Sequence, residues 1–394
     1  MIFFKRNKAI LFYLTSDAIS KLVPFLILPL LSKELDVKLF ADFTLNLVLI
    51  NVFSMAVLSG VISKIVIDHS NKIDVRININ GYFSSYIIFY LMYFSLVLLF
   101  VTGFNFNMAV LVIWGGAYSF TLFICSFYQA EGKSFKYGLL INAYSIITFV
   151  SILLGVYLQS KPYIILIPVL LLYIPVLMFL YLRPKIFDFS IFSDTVKFCI
   201  KQMPHMFANV ARYSFDRFYL VTTVSAISLV TYNLAMQAAM MLSVFFVSIN
   251  KYWFRHSLNY VVKAKGEIKT YVILSILVLA ISGMFFILSN FYLTMFFSQD
   301  YSNAVFLSKI LIFGFIFQGL YFVFSPVLYK ANLISFINIS SVTSFVIYLL
   351  GIFFFGEKYQ EVGVAIAFVA SWFTLFIITF FVSLVEIRRN GQIN

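Results

Sequence analysis

Charge is what this sequence has least of. Asp, Glu, Lys and Arg make up 11% of the 394 residues and hydrophobic residues 62%, where soluble domains carry about 25% charged and roughly 45–50% apolar residues. At a mean hydropathy of +1.00, no water-soluble fold could hide this much apolar surface, and a soluble enzyme is excluded. Cysteine is almost absent: Cys125 and Cys199 stand in apolar surroundings without a CxxC spacing, which excludes a disulfide framework and predicts two small buried side chains. The three histidines are not clustered, so nothing points to a metal site. A phosphate-cradling loop is missing too: there is no GxxxxGK[ST], and Lys133-Ser134 lacks the preceding glycines, which excludes ATP hydrolysis by this chain. No cofactor is implied.

What is present is lipid-length apolar sequence. A spanning helix takes roughly 20 apolar residues, so 62% of 394 residues leaves room for about twelve spans. Polar breaks cut the chain into apolar segments at 9–32, 39–63, 80–102, 108–130, 137–158, 163–182, 198–222, 229–250, 271–297, 303–329, 336–356 and 362–385. The gaps are too short for a soluble domain. The basic start, with Lys5, Arg6 and Lys8, resembles a signal peptide, but the apolar stretch runs on to Leu31, contains Asp17 and Lys21 and lacks a small-x-small cleavage site. It reads as a retained first span.

The net charge of +13 would suggest nucleic acid in a soluble chain; in a membrane chain it marks the cytoplasmic loops. With the N-terminus inside, 20 of the 28 Lys and Arg residues fall in inner loops, and only Lys33, Lys38, Lys161 and Lys358 fall outside. Both termini are then cytoplasmic, and no nucleic-acid partner is implied. The expected fold is an all-α polytopic membrane protein of about twelve transmembrane helices in two six-helix lobes around a central cavity, with lobes at 1–183 and 184–394.

Lys21, Arg212, Arg217 and Lys309 fall within spans. A charge near the bilayer centre costs at least about 2.5–3.5 kcal/mol, so it faces a partner or water. Segment 1 carries Pro24 and Pro29 with Asp17 and Lys21; segment 7 carries Pro204 with His205, Arg212, Asp216 and Arg217. Interrupted helices at matching places in two halves point to an internal repeat with a binding site between them. Asp17 with Lys21, and Arg212 with Asp216, stand one helical turn apart, which fits ion pairs. In the second set Arg217 then remains over, about 100° around the helix from Asp216, and an unpaired guanidinium in a membrane is explained by water or by an anionic ligand such as phosphate or pyrophosphate. A structural pair and a substrate site both remain open for each set. His205 reads either as a capped interfacial residue or as a proton sensor. Lys309, about two turns from Asp300, is expected to snorkel to the outer interface.

Segment 7 and its surroundings carry a likeness to a known family: Lys197-Phe198 and Pro204, then Ser214-Phe215-Asp216-Arg217-Phe218, then Tyr232-Asn233-Leu234-Ala235. Further matches are Gln129-Ala130-Glu131-Gly132-Lys133, Ser298-Gln299-Asp300-Tyr301 and Val362-Gly363-Val364-Ala365-Ile366-Ala367. Together these resemble the polysaccharide-export branch of the multidrug/oligosaccharidyl-lipid/polysaccharide exporter superfamily, especially the O-antigen flippases of Wzx type. Where that family has Leu-Gly and then Tyr-Gly around the first outer loop, this chain has Glu34-Leu35-Asp36-Val37 and Phe40-Ala41.

The resemblance implies a bacterial inner-membrane flippase that moves an undecaprenyl-diphosphate-linked oligosaccharide, an O-antigen or similar repeat unit of lipopolysaccharide, from the cytoplasmic to the periplasmic leaflet by alternating access. Lys21, Arg212 and Arg217 are the expected substrate-binding groups, and Asp17, Asp216 and His205 the expected coupling or ion-pair groups. The implied partners are the lipid-linked glycan, membrane lipids, a coupling proton or sodium ion, and a polysaccharide polymerase. The alternatives are a multidrug or cation exporter of the same fold, which would want a carboxylate-rich cavity, and a membrane O-antigen polymerase, which would need a sizeable outer loop that these gaps do not provide.

Overall fold

The computed structural model describes residues 8–34, 36–100, 106–157, 187–259, 264–297 and 299–392. Among these residues the chain is helical and has no strand. The helices are α1 (Lys8–Glu34), α2 (Val37–Ser70), α3 (Ile79–Phe100), α4 (Phe106–Glu131), α5 (Ser134–Tyr157), α6 (Phe189–Arg212), α7 (Phe215–Thr223), α8 (Ala226–Asn259), α9 (Ala264–Phe296), α10 (Asn303–Lys330), α11 (Ile334–Gly351) and α12 (Glu357–Gln392). A π-helical turn, Ile352–Gly356, joins α11 to α12. Eleven of the twelve expected segments fall on helices; the segment at 163–182, and with it the expected lobe boundary at 183, lies outside the described residues.

Hydropathy and burial run in opposite directions across two of these helices. The apolar part of α9 has a mean hydropathy of 2.7 and is only 28% buried, whereas α10 has 2.0 and is 67% buried. In water the more apolar helix would be the inner one; here lipid is the solvent for α9. The chain is a multi-pass membrane protein.

The helices form two compact units. One holds the described residues up to Ile27 and those from Asn46 to Met206; the other holds Leu28–Leu45 and Phe207–Asn394. In the first, α3 and α4 meet through aromatic rings: Tyr86 stacks with Phe123 at 5.3 Å between centroids, and its hydroxyl lies 2.6 Å from Ser119 Oγ. In the second, α10 is the central element, packed by α8, α9 and α12.

Three helix ends close alike, the first of them after α2, where Ile73 N–H donates to Asp68 C=O at 3.0 Å and Lys72 sits at φ 65°. The α4–α5 turn closes with Lys133 N–H donating to Tyr128 C=O at 2.8 Å, and Gly132 sits at φ 73°. The α10–α11 turn closes in the same way, with Leu333 N–H donating to Leu328 C=O at 2.8 Å and Asn332 at φ 56°. All three are left-handed helix ends of Schellman type, which Gly and Asn tolerate best.

Candidate functional site

The interruption of the seventh span is not where its proline is. Pro204 lies inside α6, where its missing N–H costs a single helical hydrogen bond. The break comes later, between Arg212 and Phe215, where Ser214 adopts φ −132°. Arg217 relieves it, its guanidinium donating to the main-chain carbonyl of Tyr213, one of the acceptors that a helix end leaves free. Likewise α1 is helical through both Pro24 and Pro29.

That break reverses the expected ion pairing. Arg212 ends α6 and Asp216 lies in the first turn of α7, so the one-turn register that would pair them is lost. Asp216 pairs instead with its neighbour: Arg217 Nη1 donates to Asp216 Oδ1 at 2.9 Å, because in the first turn of α7 the guanidinium folds back over the carboxylate. Arg217 is therefore not the unpaired cation that simple helical geometry suggests. The rest of the pair is satisfied too, with Tyr232 Oη donating to Asp216 Oδ2 at 2.7 Å and Arg217 Nε donating to Asn233 Oδ1 at 3.1 Å. Asn233 Nδ2 in turn donates to Thr44 Oγ1 at 3.0 Å, which ties the first turns of α2 into the same unit.

Arg212 is the cation left over. It is 0% exposed, and its partners among the described residues are neutral: Nη1 donates to Asn209 Oδ1 at 2.9 Å, Nη2 to Ser344 Oγ at 2.6 Å, and the guanidinium carbon lies 4.6 Å from the ring centroid of Trp372. A cation over an indole face is favourable, but among the described residues no carboxylate pairs with it, and neither Arg212 Nε nor Trp372 Nε1 has an acceptor there. With Asp216 at 0% and Arg217 at 3% exposure, the three groups put a net positive charge inside the second unit.

Asp17 and His205 are buried in the first unit. Tyr137 Oη donates to Asp17 Oδ1 at 2.8 Å, and the two tyrosines beside that bond, Tyr13 and Tyr137, meet edge to face at 5.1 Å. Lys21 follows Asp17 by one turn on α1, and its side chain lies outside the described residues. Lys309 is half-buried, with Nζ 5.9 Å from the ring centroid of Phe286. Among the described residues no group of His, Cys, Asp and Glu is arranged to hold a metal.

Sequence reasoning passed over Tyr137, Trp372 and Ser344 as functional positions. For Tyr232 and Asn233 a signal existed: a carboxylate inside a span needs donors, and a tyrosine and an amide stand together on the very next helix.

No family model and no curated protein matches the chain. Solved structures do. A MATE protein crystallised in complex with MaL6 superposes with a TM-score of 0.72 at 12% identity, over 98% of this chain and 97% of that one. An outward-facing multidrug resistance MATE family transporter of the MOP superfamily gives 0.71 at 11% identity, over 98% and 96%. A MATE protein in the straight conformation gives 0.71 at 12% identity, over 98% and 97%. The chain therefore has the fold of these MATE proteins.

Proposed function

We propose that this protein is a bacterial inner-membrane flippase that carries an undecaprenyl-diphosphate-linked oligosaccharide to the outer leaflet by alternating access. One observation carries the reading: inside the second unit the carboxylate of Asp216 is committed to Arg217, while Arg212 has no carboxylate partner among the described residues. Such a charge in a low-dielectric interior is costly by itself and becomes favourable when an anion meets it. A diphosphate supplies that anion, and the polyprenyl tail remains in lipid. Arg212 is the foremost phosphate-binding candidate, because Arg217 spends its charge on Asp216; Lys21 is the candidate on α1. Asp17 and His205, both buried, are the candidates for a coupling proton or sodium ion. A polysaccharide polymerase would take the product at the outer face.

A second reading, export of cationic drugs, draws on Asp17: a carboxylate buried in the first unit and held by a tyrosine hydroxyl suits a cation. The test separates the two. In a strain lacking the chromosomal copy, surface polysaccharide and resistance to cationic dyes are measured for the wild type, Arg212→Gln and Arg212→Lys at matched protein level. The flippase reading expects loss of surface polysaccharide in Arg212→Gln and partial return in Arg212→Lys, which keeps charge but not the bidentate fork. Normal polysaccharide in Arg212→Gln together with lost dye resistance in Asp17→Asn would make it a drug exporter.

A further inference from the structure

Inside the second unit, α10 runs unbroken through Pro326. A proline in a helix offers no N–H to the carbonyl four residues back, here that of Phe322, and crowds it, which makes this the weak point of α10. Two neighbouring helices hold α10 just ahead of it. Trp253 Nε1 of α8 donates to the Val323 carbonyl at 3.0 Å, and Ser383 Oγ of α12 donates to the Phe324 carbonyl at 3.2 Å.

The hold from α8 has a second acceptor beside it. Asn250 and Trp253 of α8, Leu274 and Val278 of α9, and Phe322 and Val323 of α10 line one small cavity of about 20 Å³. Asn250 Oδ1 is buried and has no donor among the described residues. An acceptor buried in that way is costly, and in a native core it calls for a partner. Asn250 precedes Trp253 by three residues, so the two side chains are neighbours on one helix face. Apart from the Asn250 amide itself, the indole of Trp253 is the one side-chain N–H donor among the residues that line the cavity.

We propose that Trp253 is a two-position latch on α10. In one position, the one seen here, its indole N–H holds the Val323 carbonyl; in the other it turns to Asn250 Oδ1, and α10 bends at Pro326 against the side still held by Ser383. The swap leaves no hydrogen bond unmade, because the Val323 carbonyl keeps its place in the helical ladder while the indole N–H gains the amide oxygen. Tyr271 of α9 meets the indole edge to face at 5.6 Å and stacks on Phe324 at 5.5 Å, which backs the ring while its N–H changes acceptor. The latch belongs to α8, α9 and α10 whatever the cargo, so it stands or falls apart from the flippase reading.

The test is amide hydrogen exchange on the full chain in lipid nanodiscs without substrate, read at residues 327–333, which follow the proline. Asn250→Leu keeps the size and removes the second acceptor, so exchange is expected to slow by about fivefold, the worth of one hydrogen bond. Loss of a merely structural contact would speed it. Trp253→Phe keeps a ring and removes the donor from both positions at once, so exchange should stay within about twofold of wild type, whereas a fixed clamp would give a rise of about fivefold. In Trp253→Phe/Asn250→Leu the slowing should vanish, because it runs through the indole N–H. Pro326→Ala restores the helical N–H and should slow exchange by itself, and Asn250→Leu should then add nothing. Four results would each overturn the proposal: unchanged or faster exchange in Asn250→Leu, the clamp-sized rise in Trp253→Phe, a slowing by Asn250→Leu that persists without the indole, or one that persists without the proline. The third would assign Asn250 Oδ1 to a bound water. The substitutions preserve size or favour a helix, so the fold is kept, and unchanged exchange at residues 307–315 checks it.

Discussion

Asp17 in the first unit and Asp216 in the second are built alike and loaded differently. Each is a carboxylate buried inside a span, at 6% and 0% exposure, and each accepts a tyrosine hydroxyl, from Tyr137 at 2.8 Å and from Tyr232 at 2.7 Å. Asp216 also holds an arginine at 2.9 Å within its own turn, whereas the basic residue one turn from Asp17 is a lysine. A guanidinium stays charged at any pH a cell meets and fits a carboxylate bidentately; such a pair is a fixed fitting. The contrast predicts that Asp216 holds the second unit together, and on the transport function proposed above it leaves Asp17 as the coupling candidate.

The sharpest way to break that contrast is to neutralise each acid. Asp216→Asn leaves Arg217 buried without its counter-charge, and removing one partner of a buried pair costs about 3–5 kcal/mol. The expected outcome is a large fall in membrane-inserted protein and in melting temperature. Asp17→Asn is expected to leave both close to wild type and to abolish transport. Measurements of expression level and detergent melting on the two variants decide it. A stable Asp216→Asn protein, or an unfolded Asp17→Asn protein, would exchange or erase the two roles.

Much of this architecture is legible in the residues, and the misses have definite physical causes. Spans read well because lipid demands unbroken apolar length, and eleven segments coincide with helices to within a few residues except where α2, α6, α8, α9 and α12 extend past the apolar stretch on polar sequence. Side-chain pairing inside the seventh span reads badly. A proline suggests a break at position 204, yet one lost hydrogen bond does not stop α6; the end at Arg212 depends on Arg217 reaching the Tyr213 carbonyl, a contact made across the break itself. Once the helix ends there, the i,i+4 rule that joins Arg212 to Asp216 no longer applies and the adjacent residue wins. Trp372 and Ser344 lie 160 and 132 positions from Arg212, and only the packed fold brings them to it.

A finer probe removes just the hydroxyls. Tyr137→Phe and Tyr232→Phe each delete one hydrogen bond to a carboxylate, a loss of about 1.5–3 kcal/mol where the acceptor is charged. On the contrast drawn above, Tyr232→Phe should lower the melting temperature and leave transport per molecule near wild type, since Arg217 still holds Asp216. On the transport function proposed above, Tyr137→Phe should shift the pH or sodium dependence of transport, since Asp17 loses the hydroxyl that donates to it. Identical effects of the two on the ion dependence would erase the contrast between the two acids.

The smallest effect belongs to an ion cluster outside the spans, where water takes part. Glu131, at the end of α4, accepts from Arg76 Nη2 at 2.8 Å and stands 2.8 Å from Lys133 Nζ. Burial pushes its carboxyl up, but the hydrogen bonds from Arg76 and Lys133 outweigh that and hold it below the usual glutamate range. Because its pKa is depressed in the folded state, its contribution is complete above the unfolded value of about 4.3 and is lost as pH falls through the folded value. Arg76 and Lys133 are themselves 42% and 45% exposed, and pairs open to solvent to that degree are worth at most about 1 kcal/mol. Glu131→Gln should therefore melt only a degree or two below wild type at pH 7, with the gap closing as the pH is lowered past about 4. High salt at pH 7 should close the same gap, because exposed charges are screened over about 10 Å at 0.1 M. A gap that persists at low pH would mean that Glu131 acts through packing and not through its charge. It would also remove the gradation from solvated cluster to buried pair on which the assignment of Asp216 as a fixed fitting depends.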